Sequence, residues 1–88
     1  MKLLFEASFA RDLRGIRDRQ LRQRIQRVID EVKEADGVGA VRGIRQLQGY
    51  QTFYRIRVGD YRIGLEIVGD EAVFIRALHR KDIYRHFP

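Results

Sequence analysis

A chain of 88 residues is long enough for one hydrophobic core and too short for two. It contains no cysteine, which excludes disulfides and the thiolate zinc sites of fingers and ribbons, so a core this small is expected to lean on a partner. Eighteen basic against twelve acidic residues give a net charge of +6, which favours a polyanionic partner, and the 44% apolar content argues against wholesale disorder.

The apolar run Leu3-Leu4-Phe5 is cut by Glu6, so neither a signal peptide nor a membrane span is expected. The expectation is a single cytoplasmic domain over residues 1–88. All but three of the basic residues (Lys2, Lys33 and Lys81) are arginine. A guanidinium grips phosphate as a planar fork where an ammonium is a point charge. A GC-rich genome produces the same bias, so position has to decide between the two readings.

Residues 2–6 read as a short strand, with Ser8 as N-cap of a first helix that spaces Phe9, Leu13 and Ile16 on one side. A stronger stripe follows in Leu21, Ile25, Val28, Ile29 and Val32, with Asp18 as the cap and Gly37 and Gly39 as the end. The rest of that helix carries Arg19, Arg22, Arg24 and Arg27 early and Asp30, Glu31 and Glu34 late. This polarity opposes the helix dipole. It reads either as a solvated face or as a surface that an acidic partner segment covers.

From Ile44 the period changes to two. Strands are expected over 44–47, 52–58, 61–68 and 72–79, with a turn at Gly49 and an irregular tail from Lys81. Gly59-Asp60 has the composition of a two-residue hairpin turn, and Gly69-Asp70-Glu71 is expected to join the next pair as a three-residue loop. The order β-α-α-β-β-β makes this an α+β fold.

Counting outward from Gly59-Asp60 places Val58 opposite Tyr61, Arg57 opposite Arg62, Ile56 opposite Ile63 and Arg55 opposite Gly64. Alternation then gathers Tyr54, Ile56, Val58, Tyr61, Ile63, Leu65 and Ile67 on a face that must receive the helices. The opposite face carries Phe53, Arg55, Arg57, Arg62, Gly64 and Glu66. Like charges directly across an antiparallel pair are destabilising, so Arg57 against Arg62 is a local contradiction of the kind that marks function. Its simplest resolution is a bound phosphate, with Gly64 leaving room for a backbone to approach. A three-residue second loop would add Phe74, Arg76, Leu78 and Arg80 to this face, with Phe53 and Phe74 as stacking surfaces. Glu66 as a partner for Arg55 or Arg76, or plain solvation of Arg76, remains the alternative.

The segments Tyr54-Arg55-Ile56-Arg57-Val58-Gly59-Asp60-Tyr61-Arg62-Ile63 and His79-Arg80-Lys81-Asp82-Ile83-Tyr84, correctly spaced after Leu47-Gln48-Gly49-Tyr50, resemble the RelE/ParE superfamily of bacterial type II toxins, and in particular its RelE-like ribonuclease branch. The resemblance implies a curved antiparallel sheet with two N-terminal helices packed on one face and an RNA-binding concavity on the other. It also implies cleavage of messenger RNA in the ribosomal A site, no cofactor or metal, and a cognate antitoxin in a hetero-oligomeric complex. By position, Arg55, Arg57 and Arg62 resemble the basic residues of the central strands, Arg80 the one ending the last strand, and Tyr84 the tail aromatic that stacks on the cut nucleotide. Some relatives carry lysine at the first two positions. Arginine there stays protonated and is a very poor base.

In such a site Arg57 and Arg62 are expected to clamp the scissile phosphate, with Arg55 and Arg80 on developing charge or the leaving oxygen. Phe53, Phe74, Arg76 and Lys81 are expected to contact the substrate. His79 is the nearby group whose ordinary pKa of about 6.5 suits a general base. Strict alternation puts it on the core side, where it would simply pack at the sheet end. Two other classes stay open: a ParE-like toxin that acts on DNA gyrase without a nuclease site, and a non-catalytic basic binding module.

Overall fold

The computed structural model describes residues 1–88. The elements run β1 (Lys2–Phe5), α1 (Ala7–Gly15), α2 (Arg19–Glu34), β2 (Ile44–Gln46), β3 (Phe53–Val58), β4 (Tyr61–Val68), β5 (Glu71–His79) and α3 (Ile83–His86), with one 3-10 turn at Val38–Ala40. The five strands form one sheet in the order β1-β5-β4-β3-β2. β2 through β5 pair antiparallel to their neighbours, while β1 lies parallel to β5, so the sheet is mixed where an antiparallel one was expected.

Asp18 caps α2 as expected, accepting the amide of Leu21 at 3.2 Å. Ile25, Ile29 and Val32 are the buried residues of that stripe. The helix stops at Glu34, ahead of the two glycines. Part of its basic N-terminal half has a structural use: Arg22 Nη1 donates to the carbonyls of Leu13 (3.0 Å) and Ile16 (3.1 Å), where α1 ends. Ser8 is not the cap of α1. Glu6 stands at that position, and the Ser8 hydroxyl inside the first turn donates to the carbonyl of Ile75.

The main core lies between the helices and one sheet face. It joins Phe9, Ile25, Ile29 and Val32 to Ile56, Val58, Ile63, Leu65, Ile67, Ala72, Phe74 and Ala77. Phe74 is fully buried and packs against Phe5 and Phe9 at ring distances of 5.2 and 5.3 Å. Each such aromatic contact adds about 1 kcal/mol beyond the area it removes from water.

The second hairpin departs from expectation. Gly69-Asp70 is a two-residue turn, with Gly69 at φ +59° and Val68 paired with Glu71. This parity sends Ala72 and Phe74 into the core. It would also bury the wrong half of the strand further on, but Ile75 is an extra residue: Leu65 pairs with Phe74 and Gly64 with Arg76. The bulge resets alternation, so Ala77 returns to the core while Ile75 and Leu78 face the other side.

Beyond its pairing with β1, which stops at Phe74, the outer edge of β5 is closed by α1. Asp12 accepts the Ala77 amide at 3.0 Å, and Ser8 bonds Ile75, so the edge offers less to another strand.

Candidate nucleic-acid interface

The register from Gly59-Asp60 is as counted, with Arg57 directly across from Arg62 and Arg55 across from Gly64. Gly59 takes φ +59°, the left-handed conformation this tight turn needs. β2 extends the row, because Arg45 pairs with Arg55 across the next ladder and therefore shares its face. Sequence reading missed Arg45. The signal was available in the register of the β2–β3 pair, but no two-residue turn joins those strands to set it.

The cluster is unneutralised. Arg45, Arg55, Arg57 and Arg62 make no ion pair, and Arg80 has only a 3.8 Å approach of its Nε to Asp60, with both side chains more than half exposed. Such a solvated pair contributes at most about 1 kcal/mol. Arg62 sits at the centre. Its Nη1 spends both hydrogens on the carbonyls of Gly59 and Tyr61, each at 2.9 Å, which holds the group in place and leaves the Nε–Nη2 edge free of protein partners. Partial burial, then the charges of Arg57 and Arg55, pull the Arg62 guanidinium below its ordinary pKa; Tyr84 opposes that shift and Arg80 adds to it. One group therefore feels three arginines and a tyrosine at once. A phosphate presented to the free edge would relieve the crowding and receive a bidentate contact.

The other half of this face is apolar and covered. Ile75, Leu78 and Phe53 pack with Leu47, Ile83 and Phe87 in a second small core. The tail is thus no irregular extension: α3 and Phe87 fold over the sheet, and the exposed Tyr84 stands at the seam between this patch and the arginines.

Several expected site residues lie elsewhere. Phe74 is in the main core because of the two-residue turn, so it is no stacking surface. Arg76 forms a two-point ion pair with Asp12 (2.8 and 3.2 Å), which removes it from the phosphate-binding group. Phe53 is occupied by protein, meeting Tyr50 and Phe87 edge-on at 5.6 and 5.7 Å. His79 pairs with Tyr61 and packs edge-on against its ring at 5.7 Å on the helix side of the sheet, while its Nδ1 accepts the Lys81 amide. The pleat does not relax at the strand end, and the histidine stays away from the arginines. Lys81 is exposed just beyond β5, and its ammonium makes no hydrogen bond or ion pair. Gly64 does leave room above the sheet, but the ring of Phe87 fills it.

Arg55, Arg57, Arg62, Arg80 and Tyr84 remain together, joined by Arg45. No group of three or more histidine, aspartate or glutamate side chains stands close enough to hold a metal ion, and no helix is long and apolar enough to cross a membrane.

Comparison with known proteins supplies the relatives. A family model described as the ParE toxin of the type II toxin-antitoxin system parDE matches residues 3–84. The chain is 43% identical over 89 residues to toxin RelE3 of Methanocaldococcus jannaschii, covering 100% of both. Among solved structures it is similar to a chain of the RelB-RelE antitoxin-toxin complex from Methanococcus jannaschii, with TM-score 0.81 and 41% identity over 97% of this chain and 99% of that one. It also shares its fold with a chain of the archaeal RelE-RelB complex from Pyrococcus horikoshii OT3, with TM-score 0.74 at 16% identity over 93% and 97% of the two chains.

Proposed function

This chain belongs to the RelE/ParE superfamily and is the toxin of a type II toxin-antitoxin system, and from that premise we propose that it is an endoribonuclease that cuts messenger RNA in the ribosomal A site and so arrests translation. The observation that carries the reading is Arg57 opposite Arg62 with no carboxylate between them, flanked by Arg45, Arg55 and Arg80. A stability-driven sequence has no reason to retain that repulsion, whereas a strand of RNA supplies the missing charge.

RNA carries its own nucleophile. The 2′-oxygen attacks the adjacent phosphorus, the bond to the 5′-oxygen breaks, and the products are a 2′,3′-cyclic phosphate and a 5′-hydroxyl. Arg57 and the free edge of Arg62 hold the non-bridging oxygens, where negative charge builds in the transition state. Arg55 and Arg80 stabilise the leaving oxygen. Fixed charge aimed at developing charge is commonly the largest contribution an enzyme makes, at about a hundred- to thousand-fold per donor. With His79 on the far face, no imidazole of the sheet serves as base. The 2′-OH proton passes to water, and the 5′-oxygen takes one back. Tyr84 stacks on a base and orients the cut nucleotide. The reading uses no metal.

The fold relatives from antitoxin-toxin complexes support a cognate antitoxin as the partner that silences the chain in the cytoplasm. The test is expression without antitoxin, with transcripts followed by primer extension. Wild type is expected to arrest growth and leave defined cuts within codons, and Arg57→Ala and Tyr84→Ala to lose both. Growth arrest by all three proteins with intact transcripts would overturn the nuclease and favour a ParE-like action on gyrase.

A further inference from the structure

We propose that Gln48 and Tyr50, which line the cleft beside Arg55 and Tyr84, set which base is cut, Tyr50 as a second stacking ring and Gln48 by reading the edge of the base adjoining the scissile phosphate; the proposal rests on the nuclease reading above. The cleft has a volume of about 500 Å³, within the range of small-ligand sites. One wall is Arg55, a member of the arginine row, so a phosphate on that row places its own nucleoside at the mouth of the cleft. The floor is apolar, built from Leu47 and Phe87 of the second small core.

Two exposed tyrosines on one small cleft need an explanation. Tyr84 is 62% exposed and Tyr50 47%. Tyr50 is nonetheless held firmly. Gln46 Nε2 donates to its carbonyl at 2.6 Å and to that of Gln51 at 3.1 Å, which pins the turn, and the ring stands edge-on to Phe53. A rigid aromatic ring left open to water beside a cationic row is the arrangement of a base-stacking platform, and removal of such a ring costs about five- to 150-fold in affinity.

Stacking is indifferent to sequence, because every base has a flat face. Edge readout needs donors and acceptors. Gln48 lines the same cleft, is exposed, and makes no hydrogen bond to the protein, so its amide offers both donor and acceptor. Neither Gln48 nor Tyr50 belongs to the phosphate-binding group.

The experiment maps cut positions by primer extension over several transcripts in cells expressing, without antitoxin, wild type, Gln48→Ala, Gln48→Glu, Tyr50→Ala or Tyr50→Phe. Wild type is expected to show a base preference at one position beside the cut. Gln48→Ala should lower that preference about tenfold, and Gln48→Glu, an acceptor without a donor, should shift it to a different base. Tyr50→Ala should cut about tenfold less often, with recovery in Tyr50→Phe. Cutting by both Gln48 variants with the wild-type preference, or a wild type without preference beside the cut, would overturn the subsite and leave the nuclease standing. Unchanged cutting together with weaker antitoxin capture by Gln48→Ala and Tyr50→Ala would overturn it in favour of a protein contact. Uncut transcripts with wild type would overturn the nuclease itself, and the subsite with it.

Discussion

The ring of Phe87 lies directly on the bare backbone of Gly64: a Cβ at Gly64 would stand 2.7 Å from Phe87 Cγ and Cδ2. The contact joins the middle of β4 to the last turn of the chain. It holds down the segment that carries Tyr84, so a stability contact and the presentation of a site residue are one arrangement.

Gly64→Ala should therefore lift the tail. We expect a loss of about 1–3 kcal/mol in urea unfolding from overpacking, and a fall in RNA cleavage as Tyr84 loses its anchor. Phe87→Ala should cost about 3 kcal/mol. In the double variant the alanine methyl meets no ring, so the combined loss should be clearly smaller than the sum of the two. Strict additivity would show that the two residues do not interact.

Arg57 is expected to lower stability while serving function. Arg57→Thr removes the repulsion with Arg62 and places a good strand former on the face. Its melting temperature should rise by about 2–4 °C, corresponding to roughly 0.5 kcal/mol in a domain of this size. RNA cleavage should fall about a hundred-fold or more. A melting temperature below that of wild type would mean that the arginine pair is not strained.

Asp12 supports two groups at once, the Arg76 guanidinium and the Ala77 amide, with only 8% of its side chain exposed. Asp12→Ala strands both, and we expect a cost of about 3 kcal/mol. Asp12→Asn keeps an acceptor for the amide and should lose about half as much. Urea titration of the two variants beside wild type checks the ranking.

The position of His79 predicts the pH dependence of cleavage. With the imidazole against Tyr61 on the helix side, His79→Gln should cut ribosome-bound messenger RNA within about threefold of wild type. The single-turnover rate should climb through neutral pH without levelling near 6.5, where a histidine base would impose a plateau. A plateau there that vanishes in His79→Gln would return the histidine to the mechanism.

What the amino-acid order determined by itself is the local part of this protein. The stripe from Leu21 to Val32, its Asp18 cap, the Gly59-Asp60 turn and the pairing of Arg57 with Arg62 each depend on residues close together in the chain, where helical and strand periods and a positive φ act directly. The likeness of its motifs to a toxin superfamily was legible for the same reason. Only tertiary structure decided the rest. The two-residue turn sends Phe74 inward, and the bulge at Ile75, where α1 closes the β5 edge, resets the strand beyond it, where Arg76 meets Asp12. Arg45 enters the site through a ladder whose turn is too long to set the register by counting. The tail folds because the last residues have an apolar patch to cover and a bare glycine more than twenty positions back along the chain. Contacts between distant segments carry no period, so they appear only once the sheet has brought those segments together.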